Sequence, residues 1–405
     1  MRYRNFILLS LLLAAALLPL QAQVAVKAET LHTAAGDAIS DGVVLIEEGK
    51  ISAVGPASQV QIPSGVTVLE AKVATPGLVD AHSVVGLAGY LNQNHDQDHL
   101  EESSPIQPEL RALDAYNARE TLVEWVRRHG VTTLHTGHGP GQLVSGQTMI
   151  VKTYGETVDD ALMVPSAMLA ATLGDGAKAS GGRSPGSRSK MMALLRSEFI
   201  KAQDYLDKME NAEEGKEPAR DLHKETLAKV LSGEMPLLVT AHRSRDILAA
   251  IRLAEEFGFN LVLDGAAEAH LITEKIMAAD VPVILHAPGM RHFGEAENAT
   301  FEAGPRLRDA GITFCYQTGY EGYVPKTRVL LFEAGWAASN GLLWDEALAA
   351  VTIDAARILG VDDRVGSLEV GKDGDVVLYD GDPFEYTTHV TGVIIDGQVV
   401  SQEKH

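Results

Sequence analysis

The stretch "PLLVTAHRSRDILAAIRLAEEFGFNLVLDG", Pro236 to Gly265, decides the fold. It opens on a short apolar run, "LLVTA", of the length of a buried strand. Ser244 follows as a candidate N-cap. Ile247, Ile251 and Ala254 then return at helical spacing on one face, and Gly258 is placed to end the helix. A second strand-like run, "NLVLDG", comes next. Strand, helix and strand in this order join two parallel strands by a crossover helix.

The same alternation extends in both directions. Downstream, "EAHLITEKIMAAD", "VPVILHAP", "FEAGPRLRDAG" and "ITFCYQTG" read as helix, strand, helix and strand; upstream, "ETLAKVLSG" reads as a helix, and "GVTTLHTG" and "GQTMIVKTYG" as strands. Both ends of the chain are different. "QVAVKAETL", "DGVVLIEEGKISAVG" (with a tight "EEGK" turn) and "VTVLEAKVATPG" read as strands and hairpins, as do "GSLEVGKDGDVVLYDG" and "VTGVIIDGQVV". The pattern fits an α/β protein: a (β/α)8 TIM-like barrel over residues 75–360, interrupting a small composite β-sandwich domain built from residues 23–74 and 361–405. A doubly wound open sheet is the alternative, although no glycine-rich nucleotide turn is present.

Length and composition agree, with 405 residues and 45% hydrophobic content suiting a large folded core. "MRYRN", the apolar run "FILLSLLLAAALLPL" and then "QAQ" follow the order of a secretory signal peptide. Residues 1–22 are therefore expected to be removed, placing the protein outside the cytoplasm, periplasmic or secreted. A buried N-terminal helix is the other reading. The single cysteine, Cys315, excludes an intrachain disulfide and reads as a small apolar residue in a buried strand. Losing Arg2 and Arg4 with the signal peptide takes the net charge from −21 to −23, which argues against nucleic acid and anionic membranes as partners. A small-molecule substrate or ligand remains, with self-association open.

On "VATPGLVDAHS", "GVTTL", "GQTMIVKTYG", "AHRSRDILAAIRLAEEFG" and "AVTIDAARILGVDDRVGSLEVGKDGDVVLYDGDPFE", the chain resembles the amidohydrolase superfamily, in its exported imidazolonepropionase-like branch. The resemblance spans nearly the whole chain after residue 22. It implies hydrolysis of carbon–nitrogen bonds other than peptide bonds, with one or two divalent ions, zinc foremost, at the C-terminal ends of the barrel strands. Such an ion lowers the pKa of a bound water, and an aspartate on the eighth strand takes its proton. The implied ligands are a His-x-His pair on the first strand, in some members a carboxylated lysine, and a histidine on each of the fifth and sixth strands.

The match is incomplete. His82 is followed by Val84, where a second imidazole would stand. His242 matches on the fifth strand, but Asp264 is followed by Gly265 on the sixth, and the eighth offers Gln317 or Thr318 instead of an acid. Glutamine cannot serve as a general base. Lys152 matches a lysine typical of the branch and would either bridge metals or act as an ordinary salt-bridge partner. His286, at the end of the seventh strand, would give a rebuilt one-metal site with His82 and His242. Around the expected mouth, His138, Glu268, His292 and Gln317 are candidates for contacting substrate, and His135, His270 and Glu321 stand near strand ends.

Two loops, 92–108 and 174–190, follow barrel strands and are expected near the mouth. "HDQDH", His95 to His99, is read either as a solvated acidic turn or as a metal-binding one. Two functions therefore stand together: a hydrolase with an atypical or reduced metal site, and a catalytically inactive homologue that binds a ligand or pairs with an active homologue.

Overall fold

The computed structural model describes residues 24–213, 216–320 and 329–405. The expected signal peptide, 1–22, and Glu321 lie outside the described residues. The two chain ends meet in one seven-stranded sheet. Strands β1 (Val24–Leu31), β2 (Ile39–Glu47), β3 (Lys50–Pro56) and β4 (Thr67–Pro76) join β15 (Val376–Tyr379), β16 (Val390–Ile395) and β17 (Gln398–Ser401), in the order β17-β16-β15-β4-β1-β2-β3. The "EEGK" turn joins β2 to β3, with Glu48 and Gly49 both at positive φ (51° and 78°), the conformation that matches the twist of a two-residue hairpin. The sheet curls until this turn meets the β16–β17 turn, where Gly374 donates its backbone N–H to the Gly49 carbonyl and Gly397 to that of Gly374.

Alternation along β15 couples this sheet to the rest of the molecule. Val376 and Leu378 enter the core of the β-domain, while Val377 and Tyr379 enter the main core beside the barrel helices. One strand therefore belongs to two cores, and neither can shift its register alone.

The barrel wall comprises β5 (Leu78–Ser83), β6 (Val131–Thr136), β7 (Val144–Gln147), β8 (Met149–Lys152), β10 (Leu169–Thr172), β11 (Leu237–Ala241), β12 (Leu261–Gly265), β13 (Val283–Leu285) and β14 (Phe314–Tyr316). The short β9 (Leu162–Val164) flanks β8. Pairing is parallel from β10 to β14 and between β5 and β6, and a parallel bridge between Ser83 and Gly319 closes the circle. The third position differs from expectation. It is one segment broken at Thr148, with β8 antiparallel to β6 and β7 antiparallel to β10.

That reversal corrects the reading of Lys152. Because β8 runs backwards, Lys152 pairs with Thr133 near the start of β6, at the end of the barrel opposite the mouth. Its ammonium, 3% exposed, lies 2.7 Å from Asp375, 3.0 Å from Asp373 and 3.3 Å from Asp396, all from the C-terminal β-domain. Burial alone would lower its pKa, but these carboxylates outweigh burial and hold it above the ordinary lysine value. At that end, and engaged by three carboxylates, Lys152 ties the barrel to the β-domain and stands away from the mouth.

The helix after β11 spans Ser244–Phe257 and ends at Gly258 in the left-handed conformation, as the sequence suggests. Ser244, however, is its first helical residue and not its cap. The Glu268 carboxylate takes that role from outside, accepting from the Ser244 backbone N–H at 2.6 Å and from its hydroxyl at 2.8 Å.

Replacing Lys152 by Met should cost on the order of 3 kcal/mol of stability, because it leaves buried carboxylates without their cation. Urea unfolding would read this, and a loss below about 1 kcal/mol would mean that Lys50 and Arg364, which also contact Asp373, suffice.

Candidate functional site

Side-chain alternation builds the site in layers. Leu238, Val262, Ile284 and Cys315 fill the lower barrel against the helix Ile353–Leu359. Cys315 is fully buried and its thiol pKa is pushed well up by burial, in keeping with an apolar role. Two residues further along each strand, on the same face, come Thr240, Asp264, His286 and Gln317. The apolar interior thus turns polar one layer below the mouth.

Asp264 is the centre of that layer. It has no solvent exposure and accepts three hydrogen bonds, from His82 Nδ1 at 2.9 Å, Gln317 Nε2 at 2.7 Å and Thr240 Oγ1 at 2.5 Å. Burial would raise its pKa, but the His82 ring and the three donors overcome this and hold the carboxyl below its usual range. An ionised carboxylate only accepts, so His82 Nδ1 donates to it. His82 Nε2 is buried and has no hydrogen-bond partner among the described residues.

The other imidazoles have separate settings. His242 approaches the Tyr320 hydroxyl with Nε2 at 3.0 Å, and the Tyr320 ring lies 5.7 Å from that of His82. His286 directs Nδ1 to the Ala287 carbonyl at 2.9 Å, leaving Nε2 without a partner. His135 is held between the Ala81 carbonyl and Thr148 Oγ1, both at 2.6 Å. His138 is buried beside His99. Asp80, also fully buried, accepts from Thr318 through both backbone and hydroxyl, and burial raises its pKa to about 6.

Above this layer opens a cavity of about 950 Å³ whose walls include His242, Tyr320, Glu268, Arg243, Arg291 and Phe293. Asp175 and Gly176 of the 174–190 loop also line it, which places that loop at the mouth. Of the residues expected to contact substrate, Glu268 reaches the cavity, but its oxygens are already engaged by Ser244, Arg243 and Asn298. Gln317 and His138 are buried below it, and His292 is exposed outside the lining, packed 5.8 Å from Phe301. In "HDQDH", Asp96 accepts from the backbone of Leu91 and Gln93, the arrangement of a structural turn.

The residues present do not fit the divalent centre implied by the resemblance. Among the described residues, no group of three or more metal-ligating side chains converges on a point that could hold an ion. Lys152 is at the far end, and Val84, 1% exposed, is packed into the wall. Gly265 is equally constrained. It has φ +71°, and a Cβ there would lie 2.6 Å from His242 Cε1. The His242 ring occupies the space that a side chain at 265 would need. The hydrogen bonds around Asp264 and the crowding at Gly265 could be found only from the structure; the Asp264–Gly265 dipeptide was their one visible trace in the sequence.

Gly265→Ala should therefore destabilise the protein by roughly 1–3 kcal/mol through backbone strain and overlap, and should displace the His242 ring. Thermal unfolding and histidine NMR would check both effects. Burial is the main cause that lowers the pKa of His135 to about 3 and of His138 and His286 to about 4. A depressed folded-state pKa gives stability that is present above the unfolded value near 6.5 and lost as pH falls towards the folded value. Asp80, with its raised pKa, acts in the opposite sense between about 4 and about 6. Unfolding free energy should thus fall from pH 6.5 towards 4, by up to about 1.4 kcal/mol per pH unit for each histidine. His286→Gln should flatten that slope, and an unchanged slope would count against a neutral His286.

Comparison with known proteins places this geometry. The model of the "Amidohydrolase family" matches residues 326–401. "Amidohydrolase tasK" of Hapsidospora irregularis is 27% identical over 388 residues, 88% of this chain but only 39% of that protein. The imidazolonepropionase of Stenotrophomonas maltophilia (strain R551-3) is 27% identical over 380 residues, 85% of this chain and 87% of that one. The crystal structure of an amidohydrolase from Thermotoga maritima MSB8 superposes with a TM-score of 0.89 at 29% identity, over 94% of this chain and 100% of that one. Together with the barrel and its composite β-domain, these matches identify the chain as a member of the amidohydrolase superfamily, at family level a hydrolase of carbon–nitrogen bonds with an incomplete metal site, no group of three or more metal-ligating side chains being present among the described residues.

Proposed function

We propose that this chain hydrolyses a carbon–nitrogen bond other than a peptide bond in a small molecule that enters the cavity above His242 and Tyr320. The observation that carries this reading is the pairing of His82 with Asp264 beneath that cavity, at the end of the barrel where family chemistry takes place. A structural relic would have little need for a fully buried ionised carboxylate aimed at an imidazole, since an apolar layer of similar volume would be as stable. The imidazolonepropionases among the relatives favour, by their name, a small nitrogen heterocycle. Export to the periplasm or beyond is part of the proposal and rests on residues 1–22. The division into a barrel, 75–360, and a composite β-domain, 23–74 with 361–405, is likewise part of the proposal and rests on the order of strand and helix patterns along the chain. No helix among the described residues is long and apolar enough to cross a membrane.

A second reading has its own support. Tyr320 holds His242 Nε2, and its ring lies against His82, so the two imidazoles are covered as they stand. That arrangement suits an inactive homologue that binds a ligand or pairs with an active one.

Metal analysis and turnover separate the readings. Purified protein without residues 1–22 would be measured by elemental mass spectrometry, with His82→Ala and His242→Ala alongside, and assayed against lactams, hydantoins and N-acyl amino acids. Turnover that is lost in His82→Ala supports the hydrolase. Absence of turnover from every preparation, with an intact homologue co-purifying, would favour the inactive reading. About one ion per chain, absent from both variants, would instead establish a rebuilt one-metal site.

A further inference from the structure

We propose that His82 is the general base and general acid of this site and works without a metal ion, with Asp264 as its positioning residue. The inference rests on the hydrolase reading above and names the group that performs it. An imidazole bonded to a carboxylate through Nδ1 also occurs in metal-bound histidines, so this pair alone decides nothing. The deciding facts lie around it. The position at 84 is an aliphatic side chain sealed in the wall, a Cβ at 265 would lie 2.6 Å from His242 Cε1 at a φ of +71°, and Gln317 turns its amide nitrogen towards Asp264. What remains is an oriented imidazole whose second nitrogen, Nε2, is buried and has no partner among the described residues.

Three contacts fix that orientation. Thr240 and Gln317 hold the Asp264 carboxylate, and the carboxylate holds His82 Nδ1–H, so the direction of Nε2 is set before any substrate arrives. This is the division of labour by which a buried carboxylate selects the tautomer of a catalytic histidine. In the step itself, Nε2 accepts a proton from water as the water oxygen bonds to the trigonal carbon of the carbon–nitrogen group. The displaced π pair goes to the oxygen or nitrogen doubly bonded to that carbon. When this pair re-forms the double bond, the carbon–nitrogen bond breaks with its electrons on nitrogen, and Nε2–H returns the proton to that nitrogen. His82 ends neutral, and one water has been added across the broken bond. Tyr320, which lines the cavity and touches the space above His82, must yield for substrate to reach Nε2.

The test has two arms, both on the protein without residues 1–22. First, 15N-histidine NMR of chelator-treated protein should show His82 with the proton on Nδ1 and a bare Nε2, and addition of zinc chloride should leave these resonances in place. In Asp264→Asn the tautomer preference should be lost, an effect that packing alone would not produce. A wild-type proton on Nε2, or zinc bound to His82, would overturn the proposal whatever the activity. Second, against the same lactams, hydantoins and N-acyl amino acids, metal-depleted protein should retain turnover. Asp264→Asn should lower kcat by roughly 10²–10⁴-fold with little change in KM. Turnover that appears only with added zinc would overturn the metal-free base and leave the hydrolase reading standing. No turnover in any preparation would overturn both.

Discussion

A carboxylate buried at the centre of a barrel must find its hydrogen bonds inside the barrel, and much of this site follows from that demand at Asp264. Leaving an ionised carboxylate unpaired in an apolar interior costs several kcal/mol, so its oxygens cannot stand idle. Thr240 and Gln317 supply two donors from neighbouring inward positions, and His82 supplies the third from across the barrel. Each donor is fixed by the bond it makes. Gln317 must present its amide nitrogen, which leaves Oε1 without a partner among the described residues, and His82 must donate from Nδ1, which leaves Nε2 likewise without one. The two orphaned atoms are consequences of one buried charge, and the layer has a chemical direction because of it.

A second buried cluster does different work at the opposite end. Lys152 reaches out of the barrel into three carboxylates of the C-terminal β-domain, and β15 inserts alternate side chains into both cores. Buried ion pairs add little net stability over apolar packing, but they penalise every arrangement that separates the partners. The composite domain, whose halves lie at the two ends of the chain, is locked onto the barrel by that penalty. The mouth is free of this duty, and its own tethers are local ones, such as Arg188 binding Asp175, Asp246 and Glu295.

Strand and helix order was legible because both follow from periodicity. The apolar run at 237–241, the helical spacing from Ile247 to Ala254 and Gly258 as terminator all describe local physics that the fold preserves. Direction is not local. "GQTMIVKTYG" reads the same whether its strand runs with its neighbours or against them, and only pairing with β6 reveals that Lys152 lies at the wrong end for chemistry. Ser244 failed as a cap for a related reason, since Glu268, twenty-four residues later, supplies a better acceptor. The substitutions at 84 and 317 were visible as departures from a pattern, but the positive role of Asp264 was not, because its donors come from β5, β11 and β14 and share no sequence neighbourhood.

These departures support one another in space, which bears on whether the site is worn down or rebuilt. Random loss of a metal centre would leave gaps where the missing imidazoles stood. Here the space beside Gly265 is filled by the His242 ring, and Val84 is 1% exposed in the wall. Restoring a histidine at 265 would therefore drive its own Cβ into His242 before it could offer a nitrogen to an ion. One at 84 would have to displace packing that has closed around valine. Neither change could be made alone without cost, so the present arrangement is a packed state of its own. A site held in that way, with an oriented and unsatisfied imidazole nitrogen at its centre, has the structure of a different machine on a shared frame.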